Sequence, residues 1–406
     1  MTTTKQGQTA TSIPIGRRVA QWRMRRRMTQ QVFADRIGKS KSWVDKVERG
    51  IRKLDKVSVI QHIAEVLHID PAELLDEHEP SPASSSAIGG LDKLKATLAC
   101  HATFNSPPGI LRQPKRGDVQ RQIEHAWLTY GHGDYPQLLR ILPNLLSGSQ
   151  QSHALNPQTG TEPLVQAYRL ASSVLVKLDQ AHLAWIAADR AIIAAGNDRT
   201  LAATAALSLA QALRALDQNR LAFATALAAA QHIAQPPEDA ESGEQASVHG
   251  ALLLQAALAA ASNSEPATVK ELLRQAAKLA RQIKDHESHQ RHGFSQTAVE
   301  LTQVVAQASL GETRQALAQH EKMTRDRKWL HLPAEHRAAY LLDITHVYMK
   351  IGNVQAAGRT LTEAHRTASA EVQHAPSNRA LIAEIARCAP QFTGVERLAI
   401  TLGLTR

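Results

Sequence analysis

Residues 28–50 read Met-Thr-Gln-Gln-Val-Phe-Ala-Asp-Arg-Ile-Gly-Lys-Ser-Lys-Ser-Trp-Val-Asp-Lys-Val-Glu-Arg-Gly. Counting Gln30 as position one, Ala34 is fifth, Gly38 ninth, Val44 fifteenth and Val47 eighteenth. Each position has a steric duty. Two short helices that cross at a steep angle need a small side chain where they meet, and Ala34 supplies it. The tight turn between them favours glycine for its tolerance of positive φ, and Gly38 stands there. Val44 and Val47, three residues apart on one face, bury the second helix against the first. The spacing predicts a pair of short helices with a turn between them.

Lys41, Ser42, Asp45 and Lys46 then face outward, giving a polar, basic front that fits a DNA major groove. The flanks complete a small domain. Ile15, Val19 and Trp22 recur at helical spacing before the motif, and Ile60, Ile63, Ala64 and Leu67 recur after it. Asp70-Pro71 starts a short fifth helix that delivers Leu74 and Leu75. This order resembles the lambda-repressor and Cro-like (XRE) helix-turn-helix regulators over about residues 13–77, within a domain bounded at 13–79. Two positions depart from that family: Arg27, where glycine often closes the first helix, and Trp43, where a small or polar residue is usual.

The resemblance implies roles for individual residues. Lys41, Ser42 and Lys46 match positions that touch base edges, and lysine there suits the guanine O6 and N7 acceptors. Thr29 and Gln30 match positions that cap the first motif helix and grip phosphate, as do Arg49, Arg52 and Lys53. Trp43 either meets a thymine methyl or sugar, or packs on the partner helix. Arg17, Arg18, Arg23 and Arg25–Arg27 are further basic candidates, some of which only solvate the first helix.

The charge is unevenly placed. Residues 14–56 carry 14 Lys and Arg against 4 Asp and Glu, a net of +10, which equals the net charge of the whole 406-residue chain. Residues 57–79 carry six carboxylates and no Lys or Arg. A basic surface confined to one small domain suits phosphates and argues against general stickiness. Two cysteines, Cys100 and Cys388, lie far apart without a partner motif, as expected of a reduced, cytoplasmic protein. Met1–Ser12 is polar and lacks the apolar core of a signal peptide. The most apolar run, 201–230, is broken by Arg214, Asp217 and Arg220, so no membrane contact is expected.

Residues 80–90, rich in Pro, Ser and Gly, predict a flexible linker. Residues 91–118 begin with helical spacing at Leu91, Leu94 and Leu98 and break at Pro107-Pro108. Beyond them an internal repeat organises the chain. Five residues after Gly133, Asp179, Asp217, Gly311 and Gly352 come Leu138, Ala184, Ala222, Ala316 and Ala357. Twelve residues after the same positions come Leu145, Ala191, Ala229, Met323 and Ala364. Seven residues is nearly two helical turns, so both sets lie on one face where helices approach closely. The turn spacings are 46, 38, 94 and 41; the longest fits two units of about 47 residues, with a degenerate repeat near 248–284. Breaks at Ser147–Pro163, Gln235–Gln245 and His331-Leu332-Pro333 mark the loops between repeats. The pattern resembles the tetratricopeptide helical hairpins, closest at Tyr130–Tyr135 and Leu310-Gly311-Glu312. The fold class is therefore all-α: a five-helix N-terminal domain, a flexible linker, and a solenoid of about six hairpins over residues 91–406, capped by Val395–Leu404.

Polar residues on the first helix of each pair are candidate ligand contacts: Arg169, Ser173, Gln211, Arg214, Gln303, Gln307, Tyr340, Asp343 and His346. In peptide-sensing quorum regulators of this domain order, asparagines on the inner helices hold the ligand backbone. Asn197, Asn219 and Asn353 fall at helix turns instead. His286, His289 and His292 recur in steps of three, which drift around a helix, and no Cys or carboxylate cluster completes a metal site. No metal or cofactor is expected. Nucleophile elbow, phosphate loop and dinucleotide fingerprint are all missing, so catalysis is not expected either.

The expected function is a cytoplasmic regulator, nucleoid-associated when bound, that recognises double-stranded operator DNA as a homodimer. A peptide or small-molecule effector in the helical domain would modulate that binding. The alternative is a DNA-anchored scaffold whose helical domain holds a partner protein.

Overall fold

The computed structural model describes residues 15–25, 28–52, 54, 57–67, 82–99, 116–234, 243–283, 293–388 and 393–404. The chain divides into two compact units, residues 1–85 and 86–406. Among the described residues every regular element is a helix.

In the first unit α1 (Ile15–Arg25), α2 (Gln30–Arg36), α3 (Lys41–Glu48) and α4 (Val57–Leu67) share one apolar core. Phe33, Ala34, Val44, Val47 and Ile63 are all but removed from solvent, and Ile15 and Trp22 pack on the same cluster. Gly38 takes the left-handed conformation expected of it, with φ of +63°. A Cβ on Gly16 would lie 1.9 Å from the Val47 carbonyl oxygen, so only glycine lets α1 approach α3 this closely. The expected fifth helix at Asp70–Leu75 lies outside the described residues.

The stretch read as a flexible tether, residues 80–90, is corrected: α5 spans Pro82–Ala99. Proline is tolerated at the start of a helix, where its missing N–H has no partner to lose. Leu94 and Leu98 then bury in the core of the second unit. Gly90 is buried as well, and a Cβ there would meet Leu139 at 2.9 Å. Gly90, one of the small residues that suggested a loop, is what close packing against Leu139 requires.

Six helical hairpins follow among the described residues. They are α6 (Arg116–Gly131) with α7 (Tyr135–Leu155), α8 (Pro157–Lys177) with α9 (Ala181–Ala195), and α10 (Arg199–Ala215) with α11 (Asn219–Ile233). Next come α12 (Gly243–Ser262) with α13 (Pro266–Gln282), α14 (Gln296–Ser309) with α15 (Thr313–Thr324), and α16 (Ala334–Lys350) with α17 (Val354–Thr367). Short α18 (Ser369–Gln373), then α19 (Pro376–Cys388) and α20 (Thr393–Thr401), finish the array. The expected loop at Ser147–Pro163 is also corrected, because α7 runs to Leu155 and α8 starts at Pro157, its first helical position. Only Asn156 separates them.

One turn is used six times. Gly133, Asp179, Asp217, Gly311 and Gly352 all have positive φ, and Ser264 joins them at 62°. Ser264 lies 47 residues after Asp217 and 47 before Gly311, so it is the turn of the degenerate repeat. After each turn the next N–H returns to a carbonyl five residues back: Asp134 to Thr129 at 3.1 Å, Gln180 to Leu175 at 2.8 Å, Glu265 to Ala260 at 3.0 Å. This is the Schellman closure, in which a left-handed residue ends one helix and its neighbour opens the next. Asp134 and Asn353 also cap the following helices through their side chains. Five and twelve residues beyond Ser264 stand Val269 and Ala276, both buried like their counterparts. Ala229 is the exception, half-buried beside fully buried Ala230.

The first helices of successive hairpins pack against one another, and α16 returns to α6 while α18 meets α7. The array thus closes on itself. Lys177 at the end of α8 bonds Glu335 on α16, and reaches Glu371 Oε1 on α18 at 2.8 Å. Tyr135 donates to Glu371, and Tyr130 donates to Glu335 Oε1 at 3.4 Å. Burial opposes the Lys177 charge, but Glu335 and Glu371 outweigh it and hold the ammonium well above its usual range. Burial also works against ionised Glu335, yet Lys177 and His336 keep its carboxyl below the ordinary value. At Glu371 burial and the neighbouring Glu335 charge prevail over Lys177 and push the carboxyl up.

Two outcomes are expected. Gly311→Ala should destabilise by about 1–2 kcal/mol, the cost of a left-handed non-glycine residue. Ser264→Gly should instead stabilise by up to about 1 kcal/mol, net of glycine's greater unfolded-state freedom. Urea unfolding of the full chain measures both, and a loss of stability in Ser264→Gly would contradict the turn assignment.

Lys177→Met should cost about 3–5 kcal/mol near pH 7, because two buried carboxyls lose their cation. The sign with pH follows. Without lysine, burial alone raises Glu335, and a group raised in the folded state favours folding below that raised value. The deficit should therefore shrink as pH falls from about 7 to about 5. A deficit that stays constant over that window would count against the closure as described.

Candidate functional site

The outward face of α3 is built by what lies behind it. Val44 and Val47 are each 1% exposed and fix the rotation of the helix. Ser40 caps its start by accepting from Trp43 N at 3.2 Å, and Thr29 caps α2 by accepting from Val32 N at 3.2 Å. Glu48, itself buried, ties the three helices together. Arg23 on α1 donates to its Oε1 at 2.6 Å and to its Oε2 at 3.0 Å, and Gln30 on α2 donates to Oε2 at 2.8 Å. Arg23 also donates to the Met28 carbonyl at 2.7 Å, closing the α1–α2 connection.

Lys41, Ser42, Lys46, Arg49 and Arg52 are all exposed around this framework, as is Thr29. Asp45 pairs with Arg49 at 3.5 Å on the surface, a weak contact that leaves the arginine free to move. Two expectations change, at Gln30 and Arg23, and Trp43 takes the packed one of its two alternatives. Gln30 does not cap α2, and its amide is occupied by Glu48. Arg23, counted among the basic candidates, is an internal strut. Trp43 packs on the domain core, with the Arg52 guanidinium 5.8 Å from its ring centre and Lys39 at 6.0 Å. The tryptophan therefore positions two cations instead of projecting from the helix. Lys53, Arg26, Arg27 and the histidines 286, 289 and 292 lie outside the described residues.

In the second unit the first helices of all six hairpins enclose a cavity of about 460 Å³, within the range of small-ligand sites. Of the residues expected to meet a ligand, Arg169, Ser173, Gln211, Arg214, Tyr340 and Asp343 line it. Gln303 and Gln307 do not, because they stand eight and four residues before their turn, at Gly311. Of the residues of α14 that line the cavity, Leu301, Thr302 and Val305 stand ten, nine and six before it. A two-residue shift rotates a side chain by about 200° to the opposite face. His346 faces a separate hollow of about 130 Å³, together with Asp343 and Lys350.

Sequence reasoning missed Trp127, Tyr130, Lys177, Gln255, Thr302 and Glu335 on the cavity wall. The turn register would have found most of them, since Trp127 lies six before Gly133, while Gln255 and Thr302 lie nine before Ser264 and Gly311. Arg169 is only 4% exposed; its guanidinium lies 5.3 Å over the Trp127 ring and donates to Gln166 at 2.9 Å. Arg214 donates to Gln255 Oε1 at 3.0 Å. Across from it Asp343 opens to the cavity solvent. Enclosure by the surrounding helices raises its carboxyl, with Arg214 pulling the other way. Burial likewise lowers Arg214, opposed by Asp343. Tyr340 offers its ring, because its hydroxyl meets His320 Nδ1 at 3.1 Å.

No curated protein sequence matches the chain. Among solved structures, PlcR of Bacillus thuringiensis in complex with the peptide PapR7 and DNA is 12% identical, with a TM-score of 0.29, over 68% of this chain and 96% of that one. A bacterial peptide pheromone/receptor complex is 12% identical, with a TM-score of 0.29, over 87% and 97% of the two chains. A point mutant of PrgX is 10% identical, with a TM-score of 0.30, over 93% and 95%. The family model described as a helix-turn-helix domain matches residues 14–76, the stretch that holds α1 to α4, and the N-terminal unit is a helix-turn-helix DNA-binding domain.

Proposed function

We propose that the chain is a transcriptional regulator that reads operator DNA with α3 and responds to a peptide or small molecule held in the cavity of its second unit. The observation that supports this most is the partly open, mixed-polarity cavity in a chain that also carries a basic helix-turn-helix face. Lys41, Ser42 and Lys46 read base edges; Thr29, Arg49, Arg52 and Lys53 hold phosphates. One such domain covers one half-site, so the regulator acts as a homodimer. The exposed Trp185, Ile186 and Ile193 of α9 give its helical unit apolar surface for that contact.

Selection of binding sites from random DNA tests the first half. Lys41→Ala and Lys46→Ala should each cost about 1–3 kcal/mol at the selected site and relax preference at one base pair. Arg49→Ala should weaken all sequences to a similar degree. An unchanged site preference in the double lysine variant would remove α3 from base reading.

The second half is tested by linkage. A cavity ligand found by thermal-shift screening should change operator affinity by roughly 5–150-fold, and operator DNA must change ligand affinity by the same factor. Calorimetric titration of each with and without the other measures both arms. Tight ligand binding with no effect on operator affinity would leave a DNA-anchored binding protein and end the regulator reading.

A further inference from the structure

The six turns give the hairpins a common register. Ten residues before each turn stand Ile123, Arg169, Leu207, Leu254, Leu301 and Leu342. Five repeats place an aliphatic residue at this register and one places arginine. Three residues before the turns stand Tyr130, Val176, Arg214, Ala261, Ala308 and Met349. Again one repeat carries arginine where none of the others is charged. The repeats are internal controls: the hairpin packs without a cation at either position, so neither guanidinium is demanded by the fold. Both line the same cavity, on adjacent helices α8 and α10.

The surroundings orient both guanidiniums, and Asp343 acts across the cavity on Arg214. Trp127 stacks on Arg169 and Gln166 accepts from it. Gln255 accepts from Arg214, which makes no ion pair among the described residues. A neutral acceptor such as Gln255 orients a guanidinium without replacing the anion it attracts. Leu254, Leu258, Leu301 and Val305 give the wall an apolar stretch beside the arginines, while Asp343 and Glu335 bring carboxyls to the α16 side. Partial removal from bulk water strengthens charge-assisted contacts, and a volume of about 460 Å³ suits a compact molecule.

The geometry points to a ligand of defined chemistry: a small organic anion, with a carboxylate or phosphate group held by Arg169 and Arg214 and an apolar body on the leucine wall. This assignment rests on the cavity reading proposed above and narrows it.

The full-length protein without DNA would be titrated in a calorimeter with octanoate, with phenyl phosphate, and with octylammonium as the charge-inverted control. Saturable binding of octanoate or phenyl phosphate is expected, and the stronger of the two identifies the anionic group. Octylammonium should bind at least about tenfold more weakly. Arg169→Leu and Arg214→Met put into each repeat the residue that a sister repeat already carries, so both should fold with an unchanged or higher Tm. Each should weaken anion binding about tenfold or more. The inference is overturned if neither anion binds, if octylammonium binds as well as octanoate, or if the double variant keeps full affinity. Its failure is separable from that of the regulator reading. An uncharged cavity ligand that shifts operator affinity would keep the latter and end the former.

Discussion

Lys177 carries its charge into a seam where the Glu335 and Glu371 side chains are 3% and 5% exposed. Two carboxylates facing one ammonium cannot all be ionised at low cost, and Tyr130 and Tyr135 make up the difference by donating hydrogen bonds. Such a buried cluster contributes little net stability compared with an apolar contact of equal size. Its effect is on form. A helical solenoid left to its repeat geometry stays open at both ends. Here the second hairpin, the sixth hairpin and the short α18 are joined by groups that lose far more apart and buried than together. The cavity shares that joint, because Lys177 and Glu335 both stand on its wall.

The repeated Schellman turn supplies the other constraint. A left-handed residue and one capping residue connect each pair of helices, so in the middle hairpins the cavity-facing residues fall at similar distances from the turn. The positions ten, nine, six and three residues before it form one stripe at helical spacing. A family of near-identical hairpins can then vary those few positions without disturbing the packing on the opposite side, where Ala184, Ala222, Ala316 and Ala357 are fully buried. Function is written on one face and fold on the other.

Much of this is legible in the sequence, and the failures have physical causes. The helix-turn-helix follows from steric requirements at Ala34, Gly38, Val44 and Val47, which are local and strict. Five turns are visible because glycine and aspartate are common in the left-handed region; Ser264 is not, since serine rarely goes there. Pro80–Gly90 and Ser147–Pro163 resemble loops because small and polar residues are weak helix formers in isolation. Tertiary packing at Gly90, Leu94 and Leu98 decides otherwise. The Lys177 seam joins residues nearly 200 apart in the chain, and no local pattern encodes it. Arg23 looks like one of many surface arginines, and only the position of Glu48 shows that it is inside.

The seam and the cavity are thermodynamically one system under the proposed function. Trp127, Tyr130 and Lys177 line the cavity from the early hairpins, and Glu335, Tyr340 and Asp343 line it from the sixth. A ligand that touches both sides makes its full set of contacts only in the closed ring, so its binding free energy adds to that of the Lys177 joint. A ligand confined to one side has no such differential and shifts nothing, however tightly it binds. Arg169 and Arg214 lie on one side of the seam and Asp343 on the other. An anion whose far end reaches α16 therefore couples occupancy to closure, whereas one that stops at the arginines does not. Ligand length, more than ligand affinity, is what would separate an effector from an inert occupant.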